Sequence, residues 1–275
     1  MKKRFLSAAL TVAMAVSMTA CSSKPAETAP ATEAAAPAET EAAGEETEAK
    51  EAAADTGDKE LITVGYAQVG AESDWRTANT ESFKSTFTEE NGYKLIFDDA
   101  QQKQENQIKA IRSFIQQDVD YIVVAPVVET GWETVLEEAK EAGIPVILSD
   151  RMMQVSDDSL FEAWVGGNFV KEGETCGNWL ADYLEAQGRG DEEINIVTIQ
   201  GTIGASAQVG RTEGFANVLA EHSNWKMLDM QTGEFTQAKG QEVMESFLKS
   251  YDDIDVVVAE NDNMAFGAKI GRAHV

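Results

Sequence analysis

The chain has 275 residues, 48 acidic against 22 basic side chains and a net charge of −26. A charge of that sign repels a phosphate backbone, which excludes nucleic acid as a partner, and the length allows a sizeable core in one or two domains. Two cysteines (Cys21, Cys176) and two histidines (His222, His274) form no cluster with metal-ligand spacing, so neither a transition-metal site nor a cofactor is expected.

The first element, residues 1–20, is a targeting segment. Lys2, Lys3 and Arg4 precede an uncharged run from Phe5 to Ala20, the pattern of a secretory signal. The run is shorter than the roughly 20 residues a membrane span needs. Met18-Thr19-Ala20-Cys21 resembles a bacterial lipoprotein box, with Met18 where Leu is commonest, so Cys21 is the expected lipidation site. Residues 22–58 contain no Val, Ile, Leu, Met or aromatic residue and hold ten acidic residues against two basic. Such a segment cannot bury enough apolar surface to offset its ordering entropy, and it reads as a solvated tether. With Cys21 lipidated, Cys176 has no disulfide partner; it lies in an apolar helical stretch and reads as a small core residue.

From Glu60 onward strands and helices alternate. Leu61–Val69 is β-rich, Thr77–Glu90 has helical spacing with Phe83 and Phe87 four apart, and Tyr93–Phe97 is a short strand. Gln104–Gln117 repeats Ile108, Ile111 and Ile115 on a helical face, and Asp120–Ala125 is a buried-type strand. Thr130 and Glu133 form a capping-box pair opening a helix that ends at Gly143, and Ile144–Leu148 is the next strand. The second half repeats the plan. Ala163–Val165 is a strand, Asn168 caps a helix to Glu185, Ile194–Ile199 is a strand and Ala207–Glu221 a helix. Trp225–Leu228 is a strand, Gln237–Lys249 a helix, Val256–Ala259 a strand, and Met264 begins another helix. This alternation predicts an α/β fold of two Rossmann-like lobes with parallel sheets and a hinge, the chain crossing near Phe161–Gly166. The lobes are placed at 59–163 and 164–269. Ile270-Gly-Arg-Ala-His-Val275 matches one reading frame of a common DNA-sequencing adapter, so the natural sequence is expected to end near Lys269.

In an open α/β sheet a ligand binds beyond the carboxyl ends of the strands. Gly70-Ala-Glu-Ser-Asp-Trp-Arg76 follows the first strand and Ser149-Asp150-Arg151 the fourth. Gln200-Gly-Thr-Ile-Gly-Ala-Ser206, with Arg211 in the next helix, and Glu260-Asn261-Asp262 follow second-half strands. The convergent set of Trp, Arg, Asp and Asn suits a sugar. Carboxylates accept from neighbouring hydroxyls, guanidinium forks donate to ring and hydroxyl oxygens, and an indole covers the C–H face. Charges buried at closure must be paired, so Asp150 and Arg151 would need each other or the ligand. Trp75 taken alone reads as a core residue.

Several runs carry a family resemblance. Gly-Tyr-Ala-Gln-Val-Gly-x-Glu-Ser-x-Trp-Arg (65–76) resembles the type I periplasmic binding proteins, most closely the galactofuranose-binding members of sugar ABC importers. So do residues 101–114, 125–133, 200–206 and 239–247. The resemblance covers Leu61 to Ala268. It implies that Glu72, Ser73, Trp75 and Arg76 form a first-lobe ligand loop, that Asp150 and Arg151 form a fourth-strand pair, and that Arg211 and Asn261 contribute from the second lobe. Asp74 departs from it, standing where Gly is expected. The family has a later part with further second-lobe strands, so the second lobe is expected to be incomplete here and binding to be poor.

No Gly-x-Ser-x-Gly, no Walker pattern and no histidine beside a nucleophile is present, so an enzyme is not expected and no catalytic residue is named. The expected protein is a monomeric, lipid-anchored binding subunit on the outer face of the cytoplasmic membrane or in the periplasm. It would deliver a galactofuranose-like monosaccharide to an ABC permease. The alternatives are a sensor that presents bound sugar to a receptor kinase or chemoreceptor, or a ligand such as ribose or galactopyranose.

Overall fold

A computed structural model of the chain describes residues 60–273. The signal segment, Cys21, the tether and the last two residues lie outside the described residues.

The elements run β1 (Ile62–Gln68), α1 (Asp74–Thr86), β2 (Tyr93–Asp99), α2 (Gln104–Gln116), β3 (Tyr121–Val124), α3 (Glu133–Glu141), β4 (Val146–Asp150) and β5 (Ala163–Gly166). Then follow α4 (Phe169–Ala186), β6 (Ile194–Gln200), α5 (Ser206–Leu219), β7 (Trp225–Thr232), α6 (Gln237–Ser250), β8 (Val256–Ala259) and α7 (Asp262–Ala273). Two parallel sheets result: one of five strands in the order β2-β1-β3-β4-β5, and one that has three strands among the described residues, β7-β6-β8. The two α/β lobes are as expected. β5, grouped above with the second half, pairs with β4 through Asp150↔Gly166. The chain therefore crosses between lobes at Gly166–Asn168, a few residues past the expected division at 163/164.

Helices cover both faces of each sheet, which is why the inner strands read as continuous apolar runs. On one face of the first sheet Ala67, Ile122, Val124 and Leu148 pack with Ile111 and Phe114 of α2 and Val135, Leu136 and Ala139 of α3. On the other face Tyr66 and Val123 pack against Phe83 and Phe87. Gly65 is glycine because Phe114 lies against it: a Cβ there would stand 2.5 Å from the ring. Gln107 is fully buried, and its amide donates to the carbonyls of Ala67 (3.1 Å) and Ala125 (2.6 Å) while accepting from Val127 N–H (2.9 Å). One satisfied polar side chain thus ties the ends of β1 and β3, from which site residues depart. In the second lobe, Val197, Ile199, Phe247 and Met264 form one cluster and Ile194, Ile196, Phe215 and Trp225 another.

Local expectations fail in four places. α1 starts at Asp74, three residues early, because Ser73 caps it by accepting from Arg76 N–H. The capping box at Thr130 does not form: α3 starts after Trp132, which makes no side-chain cap, and the buried indole donates to Val128 O at 2.8 Å. β7 runs four residues past Leu228, through a register shift that leaves Leu228 as the extra residue opposite Ile196/Val197. Cys176 is exposed rather than a core residue. The buried stripe of α4 is Phe169, Gly173, Gly177, Leu180 and Leu184, and Cys176 falls beside it. Among the described residues no helix is long and apolar enough to cross a membrane.

Candidate functional site

A cavity of about 760 Å³ opens between the lobes and runs on into the second lobe past Thr198, Phe215, Leu219, Met227 and Val258; its lining includes Glu72, Ser73, Trp75, Arg76, Asp150, Arg151, Arg211 and Asn261. All eight residues singled out from the sequence are therefore brought to one place. Hydrogen bonds also cross between the lobes: Glu129 N–H donates to Gly204 O (2.8 Å), Met152 N–H to Ser206 Oγ (2.9 Å) and Asp74 N–H to Asn263 Oδ1 (3.4 Å).

The first-lobe half is a lattice of four charges. Glu72 and Arg76 stand four residues apart around the first turn of α1, and Arg76 Nε donates to Glu72 Oε1 at 3.0 Å. Arg76 Nη2 donates to Asp150 Oδ2 at 2.6 Å, and Arg151 Nη2 reaches Glu72 Oε1 at 3.3 Å. Asp150 and Arg151 were expected to need each other or the ligand; they form a long ion pair at 3.9 Å, and each has a closer partner in the α1 loop. Asp150 sits at φ +63°, a left-handed conformation uncommon for a residue with a side chain. That turn ends β4.

Burial opposes the charge on Arg76, yet Asp150 and Glu72 outweigh it and hold the guanidinium above its ordinary range. Arg151 is pulled down to about 10, first by burial and then by the like charge of Arg76, against the opposing effect of Glu72 and Asp150. Three buried atoms of this lattice, Glu72 Oε2, Arg76 Nη1 and Arg151 Nε, have no hydrogen-bond partner among the described residues. Unpaired buried polar atoms are rare in folded proteins and ask for a partner. Trp75 is 57% exposed at the cavity, which overturns the core reading, and its ring lies 4.9 Å from the Arg76 guanidinium. Ser73 Oγ is engaged as the α1 cap.

The second-lobe half is built differently. Arg211, in the second turn of α5, donates from Nε to Glu172 Oε2 (2.8 Å) and from Nη1 to the Glu260 carbonyl (2.7 Å), with its guanidinium over Phe169. Asn261 accepts from Met264 N–H (2.9 Å) and donates to Phe235 O (2.9 Å), so its amide also anchors the start of α7. Glu260 points inward. Its Oε2 accepts from Gly201 N–H and its Oε1 from Thr212 Oγ1, both at 2.6 Å. Burial nonetheless pushes this carboxyl up to about 7, only partly countered by those two donors and Arg211.

The lining residues not singled out from the sequence include Phe169, Glu172, Phe235 and Glu260. Phe235 carries the Arg151 guanidinium on its ring at 4.9 Å, linking the lobes. It follows β7, and ending that strand at Leu228 hid the loop behind it. Glu260 stood in the strand-end run 260–262 named from the sequence, from which only Asn261 was taken as a site residue. Among the described residues no group of three or more His, Cys, Asp or Glu side chains could hold a metal ion.

A family model for the periplasmic binding protein domain matches residues 64–270. The chain belongs to that family. It is 49% identical over 210 residues to the galactofuranose-binding protein YtfQ of Escherichia coli (strain K12), a match covering 75% of this chain and 64% of that protein. The chain thus spans less than two thirds of that relative's length. Two solved structures resemble it closely. One, from Mycobacterium smegmatis in complex with β-D-fucofuranose, has a TM-score of 0.74 at 49% identity, covering 78% of this chain and 69% of that one. The other is the periplasmic binding component of an arabinose ABC transporter from Shewanella sp. ANA-3, bound to α- and β-L-arabinofuranose. Its TM-score is 0.72 at 50% identity, covering 77% and 68%. The fold is that of the type I periplasmic binding proteins.

Proposed function

We propose that this periplasmic binding protein captures a neutral furanose between its lobes and delivers it to an ABC permease, performing no catalysis. The observation that carries the reading is the trio of unpartnered buried atoms on Glu72, Arg76 and Arg151 at a cavity between lobes. A ring with adjacent hydroxyls supplies what those atoms lack, donating to a carboxylate while accepting from two guanidinium N–H groups. Each cavity arginine already faces a carboxylate, with Arg76 and Arg151 on Glu72 and Asp150 and Arg211 on Glu172. An anionic ligand would find no uncompensated positive charge there. The furanose assignment draws support from the three similar proteins named above, whose names or bound sugars are furanoses. Lipidation at Cys21, placement outside the cytoplasmic membrane and a monomeric state complete the proposal. Binding contacts both lobes only when they are closed, so ligand shifts the population toward closure, and a permease reads the closed form.

The test is isothermal titration of the 275-residue chain, and of a chain extended by the C-terminal third of the E. coli relative, with arabinose, galactose and their pyranose-locked methyl glycosides. The extended chain should bind the free sugars at about micromolar affinity or better and the locked pyranosides at least about tenfold more weakly. The shorter chain should be weaker than the extended one. Absence of heat with every sugar, or equal affinity for the locked pyranosides, would overturn the reading.

A further inference from the structure

Arg211 brings the second lobe's positive charge to the cavity, and what holds it is also in contact with the crossing between lobes. Glu172 stands in the first turn of α4, directly after that crossing. Its Oε2 accepts from Arg211 Nε at 2.8 Å. Its Oε1 lies 2.8 Å from where a Cβ on Gly167 would stand, so the carboxylate rests against the crossing at a residue that has no side chain. With Nη1 of Arg211 on the Glu260 carbonyl, Nη2 is left to meet a ligand. We propose that Glu172 is a positioning residue: it aims Arg211 into the cavity, and it couples that aim to the conformation of the Gly166–Asn168 crossing. A hinge absorbs lobe rotation through changes in its own φ and ψ. Any such change beneath Gly167 moves the surface on which the Glu172 carboxylate leans, and the guanidinium follows.

The alternative is an ordinary surface ion pair. Side-chain exposures of 26% for Arg211 and 45% for Glu172 mean that the pair adds little to fold stability. Removing it therefore leaves a folded protein in which aim can be measured separately. The consequence for the ligand rests on the proposed sugar capture; the coupling itself does not.

The experiment uses the whole chain, ¹⁵N-labelled. Exchange of the Arg211 Nε–H is followed without sugar, and arabinose titration is run alongside. Glu172→Gln should speed that exchange by about tenfold and weaken arabinose binding by about five- to twentyfold, with the thermal midpoint held within about 2 °C. Gly167→Ala, which displaces the carboxylate without touching its charge, should reproduce both effects. The double variant should be no worse than either single one, the signature of a shared contact. Unchanged exchange in Glu172→Gln overturns the positioning role, and additive effects of the two substitutions overturn the link to the crossing. Sugar binding that survives Glu172→Gln unchanged, in a chain whose wild type binds, also overturns it. If the wild type binds no sugar while the exchange effects hold, the positioning role stands, and the capture reading is decided by the titration of the extended chain.

Discussion

The two halves of the cavity spend their charges in opposite ways. In the first lobe Glu72, Arg76, Asp150 and Arg151 have side chains at most 13% exposed, and three of their atoms lack a hydrogen-bond partner among the described residues. In the second lobe Arg211 and Glu172 form an open pair, the Asn261 amide is already engaged by the backbone of Phe235 and Met264, and the buried carboxylate of Glu260 sits behind Arg211 with both oxygens occupied. Buried charges cost desolvation whether or not a ligand is present. The first lobe therefore holds its half ready at a standing cost, and the second lobe holds a half that is cheap to rearrange. On the proposed function, the sugar docks on the first lobe, and the second completes the shell as the lobes close.

Asp150→Ala breaks the costly half most severely. It strips Arg76 Nη2 of a 2.6 Å partner and leaves two guanidinium groups sharing Glu72 in a buried site. Breaking a buried pair by deleting one partner costs about 3–5 kcal/mol. The expected result is a large fall in chemical-denaturation midpoint together with a loss of arabinose affinity of at least about a hundredfold. A variant that keeps its stability would show that the lattice is no more costly than the open pair opposite, and the contrast between the lobes would collapse.

That lattice was legible as residue types at strand ends, but not as partnerships. Asp150 and Arg151 are adjacent in sequence and lie 3.9 Å apart, yet each has its shorter contact in the α1 loop, and only the fold brings Glu72 and Arg76 to meet them. α1 was the least legible element near the site. Phe83 and Phe87 marked its second half, but its fully buried residues are the polar Arg76 and Thr80, so its first turn carries no apolar signal, and its start is set by Ser73. Phe235 was hidden by the register shift in β7, where one additional residue breaks the alternation that marks a strand. The false capping box at Thr130 shows a local motif losing to burial of Trp132. Apolar runs such as Tyr121–Val124 and Val256–Ala259 were legible because sheets covered on both faces demand them.

Glu260 tests the second half at a smaller scale. Its carboxyl rises from an ordinary 4.5 to about 7 on folding, through burial. Between those values the folded state holds a proton that the unfolded state has released, so stability falls as pH rises through that window. Above about 7 both states are ionised and the full penalty remains. The shift corresponds to about 3 kcal/mol as an upper figure. Glu260→Gln removes the titration at the cost of one donor-against-donor contact, because Thr212 Oγ1 already accepts from Gln200 and Gln208 and Gly201 N–H faces the other position; that cost lowers the midpoint equally at every pH and leaves the slope readable. Thermal midpoints measured from pH 4.5 to 8 should therefore fall less steeply with pH in Glu260→Gln than in the wild type. Parallel profiles would mean that Glu260 is ionised throughout and that the second lobe, like the first, holds a fully charged buried acid.

Ser73 gives the smallest effect and separates scaffold from contact within the first-lobe loop. Its hydroxyl accepts from Arg76 N–H at 3.1 Å and so caps the helix that carries Arg76. Loss of an N-cap costs about 1 kcal/mol, and a shifted first turn would misplace Arg76 slightly. Ser73→Ala should lower the thermal midpoint by a few degrees and weaken arabinose binding by about two- to fivefold. Ser73→Asp restores a capping oxygen, and its charge favours the helix N-terminus. If the residue serves as a cap, Ser73→Asp recovers both stability and affinity. If it recovers stability alone, the hydroxyl itself meets the sugar, and the loop from Glu72 to Arg76 acts as one contact surface rather than as a lattice held up by its own helix cap.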